Sequence, residues 1–388
     1  MGAPPNDDTE RHESATPVEA DLTCYGRQAL GGETHDAADN KRTRVNGNHT
    51  QWAKGAPRSV PGLLAGLCGL AVLLSGATCQ RSPSQPARPF TLVMLPDTQH
   101  YSRKYPELFL AQTQWIKENR RRENIVFVTH VGDIVNNHGD DTNQWEVADK
   151  AMSMLDSVVP WGVAIGNHDF DSVSRRPGEV ATFLRHFGPQ RFRGRSWFGG
   201  SSTNGLNSYQ LFSGGGIDFL ILHLELDVPD AAIDWASDVL RAHPRRAVIV
   251  TTHSYLNGVT GIRGYNTRVS KHGNAAEDVW HKLIRRHPQI FLVLCGHHQR
   301  TVAYHQVSIN DAGAPVIEML ADYQKEHNGG DAWLRLLRFV PAERTIQVRT
   351  FSPALNSYRT DPKNQFDIPF EIPAGCRPPE PACLSPRR

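Results

Sequence analysis

From residue 89 onward the chain alternates short apolar, β-branched runs with stretches whose apolar residues recur every three or four positions. TLVML, NIVFVTH, WGVAIG, YQLFS, IDFLILHLE, AVIVTTH and IFLVLCG read as strands. Between them PELFLAQTQWIKENRR, a segment near Asn143–Ser157, DAAIDWASDVLRAH and AAEDVWHKLIRRH read as helices. The first of these helices has Pro106 in its opening turn and places Leu108, Ala111, Trp115 and Asn119 along one stripe. This βαβ rhythm predicts parallel strands. After Gly296 the runs TVAYHQVSI, PVIEMLA, WLRLLRFV and TIQVRTF follow one another without helices, which predicts added antiparallel strands and hairpins. The expectation is an α/β fold, a layered β-sandwich flanked by helices, in a single domain over residues 89–372.

The sequence before that domain has a different pattern. Residues 1–58 are polar with neither apolar period, too little to offset the entropy of ordering, and are expected to be disordered. Residues 59–79 carry no charge and follow Lys54 and Arg58, a basic flank and an apolar centre. The dense part, Leu63–Leu74, is about 12 residues, short of the roughly 20 that cross a bilayer. A cleaved signal, a lipoprotein signal with Cys79 lipidated, and an uncleaved membrane anchor all fit. The lead is long for a signal peptide, and a start downstream, for example at Val45, would shorten it. Residues 80–88 form a Ser/Pro linker and residues 373–388 a Pro-rich tail. The domain is therefore expected to be exported and held at the cell envelope by Cys79 or residues 59–78, with secretion as the alternative.

Charge removes some classes of function. With 42 Lys+Arg against 40 Asp+Glu the net charge is +2, which indicates no nucleic-acid partner. Six scattered cysteines without a CxxC pair make neither a disulfide framework nor a Cys-rich zinc module. Cys295 reads as inert core, and whether Cys376 and Cys383 pair is open. Any metal must be held by His, Asp, Asn or Gln.

Five of the strand-like runs end in such residues: Pro96-Asp97-Thr98-Gln99, Gly132-Asp133, Gly166-Asn167-His168-Asp169, His253, and Gly296-His297-His298-Gln299. Each cluster alone can be a turn, since Gly supplies positive φ and Asp or Asn caps a helix. Ligands gather beyond the carboxyl ends of strands in α/β sheets, so all five can meet on one edge.

The ordered set resembles the calcineurin-like metallophosphoesterase superfamily, with its D-x-H, GD, GNH(D/E), H and GHxH. PDTQ, QTQW, GNHD, NSY, ADYQ with a following GG, and FSP look like an exported bacterial branch of it. The resemblance implies two divalent or trivalent metal ions and hydrolysis of phosphate mono- or diesters by hydroxide activated between them. It places Asp97 on the first metal, Asp133 between both, and Asn167, His253 and His297 on the second. His168 would be catalytic, over the substrate. Oxygen and imidazole donors suit Mn, Fe, Zn, Ni or Co. Gln99 and Gln299 stand where the family has His, so the first site has weaker donors, and His298 is an alternative to Gln299. His130, Asn136 and Asp169 are expected behind the ligands, though a buried strand histidine explains His130 equally. Asn207-Ser208-Tyr209 and Asp322-Tyr323-Gln324 either line a pocket or serve hairpin hydrogen bonds. Against the enzyme stands a non-catalytic, surface-anchored binding protein that keeps the fold with a degraded first site.

Overall fold

The computed structural model describes residues 87–137, 142–171, 180–259, 261, 263 and 273–376. The proposed leader and lipidation site, residues 1–58, 59–78 and Cys79, lie outside them, as does Cys383. No helix among the described residues is long and apolar enough to cross a membrane.

Two sheets form the centre, each seven-stranded among the described residues. In the first, β1 (Phe90–Leu95), β2 (Ile125–His130) and β3 (Trp161–Val163) run parallel. β11 (Leu334–Val340) joins β1 antiparallel, with Phe90 opposite Phe339, and leads to β12 (Thr345–Ser352). β13 (Ser357–Arg359) and β14 (Gln365–Pro369) both pair with β12. The second sheet runs β4 (Phe198–Ser201), β5 (Ser208–Gly214), β6 (Ile217–Leu224), β7 (Ala247–Thr252), β8 (Ile290–Cys295), β10 (Pro315–Ala321), β9 (Ala303–Ile309). Within it β6, β7, β8 and β10 are parallel. The antiparallel reading of the later half therefore holds for β9, β11 and β12 but not for β10.

Strand alternation explains the layers. Phe90, Leu92 and Met94 of β1 pack with Phe219 and Ile221 of β6 and Ala247 and Ile249 of β7 in one core between the sheets. Their neighbours Val93 and Leu95 point the other way, into a core shared with the helical layer that contains Phe109 and Ile116. On the far side Val248 and Val250 pack with Ala232, Ile233 and Leu240 of α6 (Asp230–Ala242) and Val279 of α7 (Ala276–Lys282). Side chains that bury both faces of a strand come as continuous apolar runs, which is why FTLVML and AVIVTT contain no exposed polar position. Cys376, buried in the inter-sheet core, brings the described chain back onto the sandwich after β14.

On the first sheet's outer face lie α1 (Gln99–Lys104), α2 (Pro106–Asn119), α3 (Thr142–Ser153), α4 (Ala181–Phe187) and α5 (Pro189–Phe192). The buried face of α2 is Phe109, Gln112, Thr113 and Ile116, one position on from the stripe expected at Leu108, Ala111, Trp115 and Asn119. The rotation has a visible cause: the Gln112 amide donates to the Trp333 carbonyl at 2.9 Å, so a polar position is drawn inward.

Candidate metal centre

Strands β1, β2, β3, β7 and β8 deliver their carboxyl ends to one edge, and the turns that follow are tied to one another by backbone hydrogen bonds. Thr98 N–H donates to Asp133 O at 3.1 Å, Ala164 N–H to His130 O at 2.9 Å, and Gly296 N–H to His253 O at 2.9 Å. Asp133 and His297 adopt positive φ, 52° and 70°, a strained conformation for residues with side chains and one that collects at functional sites. Neighbouring glycines make this possible. A Cβ on Gly166 would overlap the Asp133 carboxylate, and one on Gly296 would overlap Asp97 Oδ1.

Asp133, His253 and His297 offer ligand atoms that all lie within 4.8 Å of one another. His253 donates from Nδ1 to the Val131 carbonyl at 3.0 Å, leaving Nε2 facing Asp133 Oδ1 at 3.2 Å and Asn167 Oδ1 at 3.1 Å. A ring nitrogen between two oxygens must carry either a proton or a cation. Burial opposes the proton, but the Asp133 carboxylate outweighs it, and the His253 pKa is raised to about 10. For Asp133 burial is likewise outweighed, by the charge and hydrogen bond of His253, so its carboxyl is held well below the usual range. Burial, followed by the charge of His253, lowers His297 to about 3, the neutral state a metal ligand needs.

Asp97 is 2% exposed. His297 N–H donates to its Oδ2 at 3.1 Å and to Oδ1 at 3.4 Å, and the Gln324 amide donates to Oδ2 at 3.2 Å. Burial, the negative charges of Asp322 and Asp133 acting in the same direction, raises its pKa well above the normal value. Asp169 is pushed to about 7 by burial and then by Asp133, although three buried backbone N–H groups, of Ile134, Val135 and Gly166, bond its two oxygens. Asp169 thereby links the GD turn to the GNHD turn.

This excess of buried negative charge fits bound cations. So do three oxygens that are buried without a protein partner: Asp133 Oδ2, Gln99 Oε1 and Gln324 Oε1. Buried polar atoms are nearly always bonded, and the free Asp133 oxygen with the His253 and His297 rings makes an oxygen and nitrogen donor set. Asp133, His253 and His297, with Asn167, could hold a metal ion, and Asp97 and Gln99 are further buried oxygen-bearing residues of the expected set.

The remaining expected residues differ in what they contact. His168 N–H donates to Asp133 Oδ1 at 2.9 Å, and its ring Nδ1 donates to the Asn136 carbonyl at 2.5 Å. Asn136 thus acts through its backbone oxygen. His130 accepts from Gly132 N–H at Nδ1, 3.1 Å, so its Nε2–H donates to Thr98 Oγ1 at 2.9 Å. Burial, with the charge of His253 acting in the same direction, lowers it to about 3; as a neutral ring it braces the Asp133 and Gln99 turns. His298 Nε2 lies 3.2 Å from Ser254 Oγ and is outside the three-residue cluster. Gln299 opens a 3-10 helix, Gln299–Thr301, but its side chain lies outside the described part of the chain. Asn207 is a hairpin residue: its amide donates to Glu225 Oε1 at 2.8 Å and its Oδ1 accepts Glu225 N–H at 2.8 Å. Gln324 bonds both Asp97 and Asp322, which hairpin bonding alone does not explain.

The sequence model of the calcineurin-like phosphoesterase family matches residues 91–301. The uncharacterized protein YvnB of Bacillus subtilis (strain 168) is 36% identical over 294 residues, which are 73% of this chain and 22% of that protein. The chain thus spans less than a quarter of that relative's length. Among solved structures, a dimetal phosphatase from Danio rerio aligns at 15% identity over 74% of this chain and 100% of its own, with a TM-score of 0.43. The protein TT1561 of Thermus thermophilus aligns at 11% identity over 71% of this chain and 99% of its own, with a TM-score of 0.38. The matched region runs from β1 through the turn after β8, taking in Asp97, Asp133, Asn167, His253 and His297, and the chain belongs to the calcineurin-like phosphoesterase family.

Proposed function

We propose that this chain is a metal-dependent phosphoesterase that hydrolyses phosphate mono- or diesters at a two-metal centre. The observation that carries this reading is the group of Asp133, His253 and His297 ligand atoms within 4.8 Å of one another, with Asn167 Oδ1 3.1 Å from His253 Nε2 and with Asp133 Oδ2 buried without a protein partner. When bound, the two ions supply a nucleophile at neutral pH and offset charge on the phosphoryl oxygens. The protein's own part is positional. Asp133 fixes the turn that carries His168 by accepting its backbone N–H, and the Asn136 carbonyl fixes the His168 ring. That ring is set to bind a phosphate oxygen or to donate a proton to the leaving oxygen. No Ser or Cys nucleophile is required: the buried Cys295 thiol is pushed up to about 12 by burial, which keeps it inert.

The test is metal content with turnover of p-nitrophenyl phosphate and bis-p-nitrophenyl phosphate in added Mn²⁺. Two equivalents of metal and hydrolysis that Asp133→Asn abolishes are the expected result. One equivalent or none, with no hydrolysis of either ester, would instead support a binding protein with a degraded first site, the rival that the two glutamines keep open.

A further inference from the structure

Asp322 and Gln324 follow β10, which runs parallel to β8, so their turn reaches the same edge as the ligand-bearing turns. Both are buried, at 0% and 3% exposure. The Gln324 side-chain amide donates one hydrogen to Asp97 Oδ2 at 3.2 Å and the other to Asp322 Oδ2 at 3.0 Å, while its backbone N–H donates to Asp322 Oδ1 at 3.0 Å. The residue between them is locked from the opposite side: Tyr323 Oη donates to Asn364 Oδ1 at 2.6 Å and accepts from Arg335 at 3.1 Å. No Lys or Arg forms an ion pair with Asp97 or Asp322 among the described residues, so two buried carboxylates are bridged by a single neutral amide.

We propose that Asp322 and Gln324 are positioning residues for the first metal: Asp322 grips the Gln324 amide, and that amide holds Asp97 by Oδ2 so that Oδ1 is left for the ion. The hydrogen-bond pattern on Asp97 supports the assignment, since both short contacts fall on Oδ2 and Oδ1 has only the 3.4 Å approach of His297 N–H. The Gln324 carbonyl oxygen, buried without a partner, faces no competing donor. The pair also answers the weak donor set at this site. Where imidazoles are replaced by amides, an added carboxylate one hydrogen bond behind Asp97 restores negative charge without occupying a coordination position. Partners behind the ligands typically set metal affinity by about 10–100-fold.

This inference rests on the proposed metal centre, and the experiment separates the two. The full-length, chelator-stripped protein is titrated with Mn²⁺ while free Mn²⁺ is followed by electron paramagnetic resonance, and Asp97→Asn identifies the first site. Gln324→Met is expected to weaken that site by about 10–100-fold and to leave the other unchanged. Asp322→Asn should weaken the same site, and the double variant should bind no more weakly than Gln324→Met alone, because Asp322 acts through the amide. Unchanged first-site affinity in Gln324→Met overturns the inference, as do additive losses in the double variant. So does equal weakening of both sites together with a lower melting temperature of the metal-free variant, which would make the pair a structural brace. A wild type that binds one Mn²⁺ or none, unaffected by Asp97→Asn, overturns the metal-centre reading itself.

Discussion

At His168 the backbone and the ring are held by different partners, the Asp133 carboxylate and the Asn136 carbonyl. Removing the ring therefore leaves the Asp133 contact in place. His168→Ala is expected to keep its metal and to lose about 10²–10⁴-fold in turnover, the usual worth of proton transfer from a positioned side chain. The loss should be smaller for p-nitrophenyl esters, whose leaving group needs no proton, than for alkyl esters. Metal analysis alongside kinetics on both esters checks this, and a variant that loses metal together with activity would move His168 into the ligand set. Asp97, Asp133, Asn167, His253 and His297 were legible in the sequence as candidates because ligand types at the ends of apolar runs are hard to explain as turns, and the structure groups Asp133, His253 and His297. Asp322 and Gln324 were left between a pocket and a hairpin, because their meaning depends on the direction of β10. PVIEMLA reads the same whether the strand is parallel or antiparallel to its neighbour. His130 stayed ambiguous for a related reason: only the Gly132 N–H and Thr98 hydroxyl, one on each side of the ring, show that it braces two turns.

The strand-to-turn junctions are the elements on which the site depends, and Gly296 is the tightest test of them. A side chain there meets the Asp97 carboxylate, whose other oxygen is pinned by His297 N–H and Gln324. The expected cost of Gly296→Ala is about 1–3 kcal/mol, as for overpacking elsewhere in cores, and the first metal should bind more weakly because Asp97 must move. Chemical denaturation and Mn²⁺ titration measure the two effects, and wild-type values in both would show that the turn relaxes without disturbing Asp97. Long elements were readable from periodicity, as α6 and β7 illustrate, because a dozen residues or an uninterrupted apolar run establish a period. Several short elements were not, although WGVAIG did read as the three-residue β3. The six residues of α1 and the four of α5 are below two turns, and β13 has three residues. For α2 the period was right and its phase was one position off, because Gln112 is drawn inward by the Trp333 carbonyl, a contact made across more than two hundred residues.

Across the whole sandwich the space between the sheets changes character along the strands. Phe127 of β2, Ile221 of β6 and Ile249 of β7 form an apolar layer. Two residues on, Thr129, His223 and Thr251 form a buried polar layer in which Thr129 Oγ1 lies 2.9 Å from both His223 Nε2 and Thr251 Oγ1. Two residues further, Val131 and His253 meet at the metal centre. The polar layer is thus the floor of the site. Gln210 Oε1 accepts from His223 Nδ1 at 2.6 Å, so His223 Nε2 accepts from Thr129 and the ring is neutral. Burial, and after it the charge of His130, lowers the His223 pKa to about 3. The unfolded chain takes up a proton on this ring below about pH 6.5 and the folded protein does not until about pH 3. The stabilisation is therefore complete above pH 6.5 and is lost as the pH falls through that window, at up to about 1.4 kcal/mol per pH unit for one ring. His223→Gln keeps an amide in the network and removes the titration. It is expected to cost about 1–3 kcal/mol at neutral pH, where one hydrogen bond is imperfectly replaced, and to flatten the decline toward acid. His130, His297 and His298 have lowered pKa values as well, so some decline should remain. Denaturant melts of the metal-free protein at pH 7, 6, 5 and 4 measure the slope, and a slope in His223→Gln equal to wild type would mean that this ring does not stay neutral in the folded state.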